Sequence, residues 1–195
     1  KNQLTIEEVA SRRQLKEFIA LPHRLYPNSP NYIPPLNLHM KMMLGKTGEP
    51  NKHLLLAKVG DRTVGRLGVK IHRHGNDQFL HFGFFECSEK HPQAAQALVE
   101  KAHRRYPHLT LKGPYHFRME DPYIGTLIHG FEQSPYIFMP YNFPYYDEYL
   151  RGAGLQKAID LLTYEFDVTG RPPQIQKIAG RSRQRGYGVR WLDPK

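Results

Sequence analysis

The stretch Phe79–Leu98, FLHFGFFECSEKHPQAAQAL, joins an apolar run to a helical repeat through Ser88-Glu89-Lys90-His91-Pro92, with no glycine at the junction. The run predicts a buried strand, Phe79–Cys87, leading directly into a helix, His91–Tyr106. Ala94, Ala95, Leu98, Val99 and Ala102 give that helix one apolar face, and Arg104 and Arg105 fall in its last turn, where cations favour the dipole. A helix so patterned has to cover a sheet, which confines the chain to α/β architectures.

The remaining pattern fills in around this unit. Leu4–Val9 alternates as a first strand, and Ser11 with Gln14 makes a capping box that opens a helix carrying Leu15, Phe18 and Ile19, limited at Pro22. Five prolines between Leu21 and Leu36 predict an aromatic-studded loop, followed by a short helix, Leu36–Leu44. His53–Val59 and Thr63–Ile71, joined by Gly60-Asp61-Arg62, read as a hairpin, to which Phe79–Cys87 adds a third meander strand. A strand at Leu109–Lys112 comes next, then a long loop, Gly113–Gln133, with a short helix near Ile124–His129. Long loops of this kind are often functional. A strand at Tyr136–Pro140, a helix at Tyr145–Gly152 stopped by Gly154, and a long strand or hairpin arm at Leu155–Val168 complete the body. Gly170–Gly186 reads as linker, and Gly188–Leu192 as one more strand.

At 195 residues, with 39% hydrophobic and 24% charged residues, the chain suits one domain or one domain plus a piece of another. Because it opens on Lys1, it is expected to be cut from something larger. No apolar run is long enough to span a bilayer, and no secretory signal leads the sequence, so a soluble body is expected. The single cysteine, Cys87, rules out a disulfide framework and a multi-cysteine zinc site, which fits a reducing, cytoplasmic setting. His72 and His74 have no acidic or cysteine partner at metal-ligand spacing, and no metal is expected. The net charge is +10, but from Thr169 onward seven basic residues face one acid, so most of it lies in a solvated tail. Without a helix-turn-helix or RNA-recognition motif, charge alone does not make a specific nucleic-acid binder.

Three strings carry a family resemblance: RLYPNSPNYIPPL (Arg24–Leu36), FGFFEC (Phe82–Cys87) and FMPYNFPYYDEYLRGAGL (Phe138–Leu155). With the order of elements between them, the chain resembles the GNAT acyl-CoA N-acyltransferase superfamily over about residues 4 to 168, and within it a bacterial group with two GNAT-like lobes in tandem. The resemblance implies a mixed, mostly antiparallel central sheet with a splay and helices on both faces. It implies a first lobe over residues 1–168, then a basic linker and the first strand of a second lobe, GVRWLDP, over residues 169–195. It also implies acyl-CoA or acetyl-CoA as co-substrate. Backbone groups around Phe85 and Cys87 would stand free at the splay for the pantetheine arm, and Tyr136–Pro140 would form the other lip. The helix at His91 would point its N-terminus at the pyrophosphate. The superfamily's cradle there is Gln or Arg, two residues, Gly, one residue, then Gly or Ala, and no register of SEKHPQAAQAL supplies the first glycine. Lys90 and Gln93 are the side-chain donors left to substitute, because only glycine lets backbone approach phosphate unobstructed.

N-acyl transfer needs a base for the amine, an acid for the leaving thiolate and donors for the oxyanion. Glu86, among Phe82, Phe84 and Phe85, is the candidate base, since desolvation raises a carboxyl's pKa; a solvated strand-end Glu paired with Lys90 is the alternative. The resemblance places the acid on the helix after the second lip. Tyr149 is the match, five residues before Gly154 instead of four, with Tyr146 and Tyr145 as neighbours that fit the role, and Asn142 matches the asparagine that opens the motif. Tyr141, Tyr145, Tyr146 and Tyr149 alternatively form a packed aromatic cluster. Cys87 reads as a small buried apolar group before it reads as a nucleophile. His116, Arg118, Glu120 and Asp121 either line a substrate mouth or solvate their loop.

Two functions remain open at this point. One is an N-acyltransferase lobe acting on a small-molecule or lipid-type primary amine; resembling proteins acylate sphingoid bases. The other is a non-catalytic lobe serving as a scaffold or ligand-binding module, which the missing cradle favours.

Overall fold

Ser11 opens the first helix as its composition predicts. Its hydroxyl accepts the Gln14 N–H at 3.2 Å, and the Gln14 side chain returns to the Ser11 N–H at 3.1 Å. In a computed structural model of the chain, which describes residues 3–45, 48–117, 123–165 and 173–190, this cap lies between strand β1 (Leu4–Glu8) and helix α1 (Arg12–Leu25). Helix α2 (Asn37–Leu44) follows, then strands β2 (Lys52–Val59), β3 (Arg62–His74) and β4 (Asp77–Cys87), helix α3 (Gln93–Arg105), strand β5 (Thr110–Lys112) and helix α4 (Tyr146–Gly152).

The strands form one sheet in the order β1-β2-β3-β4-β5. The first four are antiparallel neighbours, and β5 runs parallel to β4. The expected mixed, mostly antiparallel sheet with helices on both faces is therefore observed. Leu55, Ala57, Leu67 and Val69 meet Ala94, Leu98 and Ala102 of α3 on one face. Leu54 and Leu56 meet Phe18 and Ile19 of α1 and Met40 and Leu44 of α2 on the other. The alternation along β2 is what divides its leucines between two cores.

The splay has a simple origin. β5 pairs with β4 only at Phe79, Leu80 and His81, so the last six residues of β4 have no strand on that side among the described residues. The chain leaving β5 crosses β4 at Gly83, where a Cβ would overlap the Tyr115 carbonyl, so only glycine permits the crossing. A bulge lies at the same point. Arg66 faces Glu86 but Gly68 faces Gly83, so Leu67 opposes both Phe84 and Phe85, with Phe84 at φ +54°. The extra residue shifts the parity of the strand. Phe84 turns to the α1 face and Phe85 to the α3 face, which leaves Glu86 on the same face as Arg66.

Several expected elements differ. Pro22 does not end α1 but sits inside it. Ile124–His129 forms no helix, and Tyr136–Pro140 is a turn, with Phe138 at φ +70°, instead of a strand. The second lip is thus loop: the crossing at Gly83 covers the edge where a strand would pair. Residues 155–165 contain no strand, and 166–168 lie outside the described residues, as do Arg118, Glu120, Asp121 and the end of Gly188–Leu192. The chain divides into two compact units, residues 1–158 and 159–195. The second contains helix α5 (Pro173–Gln184) where a linker was expected. Proline in the first turn, good helix formers and Arg181 and Arg183 in the last turn account for it. Ile175 and Ile178 on α5 are exposed.

Candidate active site

Glu86 closes β4 and is buried with Arg66 opposite it on β3. One carboxylate oxygen accepts from the Tyr146 hydroxyl at 2.6 Å, and the other lies 3.4 Å from Arg66 Nη2. Burial pushes the Glu86 carboxyl above the usual range, while the Arg66 charge and the Tyr146 hydroxyl pull it down. Arg66 is anchored from below. Its Nη1 donates to the Phe18 carbonyl at 2.6 Å, and its guanidinium lies 4.9 Å from the centre of the Phe18 ring. In a regular helix that carbonyl would take the N–H of residue 22, but residue 22 is proline. Arg66 Nε has no partner among the described residues.

Tyr145, which caps α4, and Tyr146 and Tyr149 within it do not stand free. Tyr146 is buried, and its hydroxyl also accepts the Cys87 N–H at 3.0 Å and lies 3.5 Å from the Tyr26 hydroxyl. Tyr145 donates to the Cys87 carbonyl at 3.0 Å, and Tyr149 donates to the Glu89 carbonyl at 2.8 Å. Of the backbone expected to be open for a pantetheine arm, the Cys87 N–H and carbonyl are therefore taken up by hydroxyls. Burial first and the Glu86 charge second hold the Tyr146 hydroxyl well above its ordinary pKa. Cys87 packs in the core beneath, its Sγ 3.4 Å from the His91 carbonyl, and burial pushes its thiol up to about 12. Such a thiol is not a nucleophile at neutral pH.

Glu86, Arg66 and Tyr146 border a cavity of about 90 Å³ whose other walls include Ile33, Met40, Phe85 and Met139. Phe85 is buried with its ring edge-on to Tyr146 at 5.0 Å. Asn142 belongs to the wall and ties two loops together: its Oδ1 accepts the Leu127 N–H at 2.7 Å, and its amide donates to the Leu127 and Phe143 carbonyls. Lys90 and Gln93 are exposed at the start of α3, where Pro92 caps without a side-chain bond.

One charged cavity residue, Arg66, escaped the sequence reading of the site's chemistry, and His116 takes the first of its two expected places. Arg66 is a lone cation in the apolar run TVGRLGV, and that isolation was its only signal. His116 borders the cavity instead of solvating its loop. Its Nδ1 lies 3.1 Å from the Tyr123 carbonyl, which makes Nδ1 the donor and leaves Nε2 as the acceptor. Burial, with the Arg66 charge second, lowers the imidazole to about 3, so the ring is neutral at physiological pH.

A coenzyme A thioester laid along β4 would meet backbone groups that already have partners. The Cys87 N–H and the Cys87 and Glu89 carbonyls are already bonded, and the turn before α3 holds Pro92, which has no N–H, and no glycine. No group of three or more His, Cys, Asp or Glu placed to hold a metal occurs among the described residues.

No family model matches the chain. Two curated proteins do. Protein YghO of Escherichia coli K12 is 30% identical over 189 residues, covering 90% of this chain and 48% of its own length. The bacterial ceramide synthase of Caulobacter vibrioides is 30% identical over 209 residues, covering 97% of this chain and 53% of its own. The chain thus spans about half the length of these relatives. Among solved structures, an aminoglycoside 6'-N-acetyltransferase from Acinetobacter baumannii superposes with a TM-score of 0.52 at 12% identity, over 85% of this chain and 99% of that one. An aminoglycoside acetyltransferase from an uncultured soil metagenomic sample gives 0.51 at 14%, over 86% and 99%. The fold is that of the GNAT N-acetyltransferases.

Proposed function

We propose that this chain, which has the GNAT acyltransferase fold, is an N-acyltransferase lobe that transfers an acyl group from a thioester to the primary amine of a lipid-type acceptor. The observation that carries the reading is Glu86: a buried carboxyl of raised pKa at the splayed end of β4, facing a cavity with apolar walls. A carboxyl so placed is suited to take a proton from an ammonium acceptor, because its raised pKa narrows the gap to the amine. Tyr146 fixes the carboxylate by its short hydrogen bond, and Arg66 holds the opposite oxygen, so both act as positioning residues. A hydroxyl held far above the range of a thiol is a poor acid for a leaving thiolate, which suits Tyr146 to orientation. Tyr149, half-buried with its hydroxyl on the Glu89 carbonyl, is the remaining candidate acid.

The thioester supplies the activated acyl carbon. Ile33, Met40 and Met139 suit an alkyl chain next to the reacting amine, and the ceramide synthase relative supports a lipid-type acceptor. Because the glycine cradle is missing, we assign the nucleotide end of an acyl-CoA donor to the longer protein, with a second GNAT-like lobe after residue 168. The test is acyl transfer from palmitoyl-CoA to a long-chain amine by the full-length protein and by Glu86→Gln.

A second reading has its own observation. The hydroxyls on the β4 backbone would equally close a non-catalytic lobe that scaffolds an active partner. Unchanged turnover in Glu86→Gln would select it.

A further inference from the structure

Within residues 1–158, the large apolar side chains that remain exposed among the described residues fall in two segments only. Ile33, Leu36, Leu38 and Met42 form one group, and Ile128, Tyr136, Ile137 and Phe138 the other. Both segments border the Glu86 cavity, the first through Ile33, Pro35 and Met40, the second through Thr126, Pro135 and Met139. They are also bonded to each other. Asn31 donates to the Phe131 carbonyl at 3.0 Å, and Ser134 Oγ donates to Asn31 Oδ1 at 3.2 Å. Ile33 lines the cavity itself and the other seven lie on or beside the segments that supply its lining, whereas scattered single residues would need no explanation.

The charge of the rim points to its occupant. No acidic residue occurs between Glu17 and Glu49, a stretch that contains Arg24, Lys41 and Lys46. Arg24 and Lys41 are exposed, and on α2 Leu38 and Met42 face outward while Met40 and Leu44 are buried. In the second segment Glu132 is the one acid and is exposed. Apolar side chains bordered on the first segment by cations without acids match the interface of an anionic bilayer. No helix among the described residues is long and apolar enough to cross a membrane.

We propose that the cavity rim is a docking surface for an anionic lipid bilayer, with Leu38, Met42, Ile137 and Phe138 set at the headgroup boundary and Arg24 and Lys41 on the headgroups. The proposal rests on the lipid-amine reading above and extends it to the place where the acceptor is collected. Docking brings the cavity mouth against the leaflet, so an alkyl amine passes from bilayer to Glu86 without crossing water.

The experiment is flotation of the full-length protein with vesicles of equal parts phosphatidylglycerol and phosphatidylethanolamine, and with phosphatidylcholine alone, without acceptor or thioester. Binding to the anionic vesicles is expected. Leu38→Asp with Ile137→Asp is expected to reduce it at least about ten-fold, while Asn76→Asp with Gln78→Asp, an equal charge change at the β3–β4 turn and the start of β4, leaves it unchanged. Met42→Asp with Phe138→Asp serves as a second pair should the first not fold, judged by its melting curve. No binding to anionic vesicles, or equal loss in rim and turn variants, overturns the proposal. So does a dimer that the rim variants split, since a second copy would then cover the surface. Vesicle binding without acyl transfer overturns the catalytic reading alone, and transfer without vesicle binding overturns docking alone.

Discussion

Pro22 and Arg66 meet at one carbonyl. Proline in the third turn of α1 removes the helical donor for Phe18, and the Arg66 guanidinium takes its place at 2.6 Å. The sequence cost of an interior proline thus becomes an anchor for the buried cation that faces Glu86.

Pro22→Ala restores a backbone N–H that competes for the Phe18 carbonyl. Arg66 is then freer to pair with Glu86, and the carboxyl's pKa falls. The acid limb of the pH–rate profile is expected to move to lower pH, with the helix itself more stable by up to about 3 kcal/mol. Arg66→Met has the opposite logic: it leaves a buried carboxyl unpaired and the Phe18 carbonyl empty, and is expected to cost about 3 kcal/mol in a denaturant melt.

Glu86 also ties stability to pH. Its pKa is raised in the folded chain, so its contribution is fully present below the unfolded carboxyl's value of about 4.3 and is lost as pH rises through the folded value. Glu86→Gln has no such titration. The Tm of the variant relative to the wild type is expected to climb as pH rises from about 4, readable in parallel melting curves.

His116 works in the other direction. Its folded pKa is lowered to about 3, so the stability it contributes is present above the unfolded value of 6.5 and is lost as pH falls towards 3. His81, lowered to about 4 by burial and by the neighbouring His72 and Lys112 charges, adds to the same acid loss. His116→Asn is expected to flatten the pH dependence of Tm below neutrality.

The hydroxyls of Tyr145 and Tyr149 make a claim about coenzyme A. With the Cys87 and Glu89 carbonyls occupied and no glycine before α3, free coenzyme A is expected to give no thermal stabilisation of this chain. A shift of several degrees, as a ligand at a hundred times its Kd gives through roughly 2.7 kcal/mol, would contradict this.

What was legible in the sequence was local. The Ser11 cap, the β2–β3 hairpin, strand β4 and the apolar face of α3 each rest on a few neighbouring residues, and each is present. What was not legible depends on distant partners. Pro22 stays helical because Arg66, 44 positions on by the numbering, satisfies the carbonyl it frees. Tyr136–Pro140 has strand composition, but the crossing at Gly83 leaves it no edge. Helix α5 was hidden by Pro172, Pro173 and Gly180, although proline in a first turn favours a helix. At the site, Glu86 and Tyr146 stood out in sequence and lie 2.6 Å apart. Arg66 joins them only through the fold, and His116, legible in sequence only as part of its loop, borders the same cavity. The Phe84-Phe85 doublet after Gly83 breaks the two-residue period and was the one sequence sign of the bulge that aims Glu86.

The most direct test of Glu86 as the base is single-turnover acyl transfer from palmitoyl-CoA to a long-chain amine by the full-length protein, with Glu86→Gln run beside the wild type at matched folding. Loss of about 10² to 10⁴ in rate, relieved as pH rises and the amine deprotonates on its own, is the expected result. Transfer by Glu86→Gln at the wild-type rate across the same pH range would contradict it.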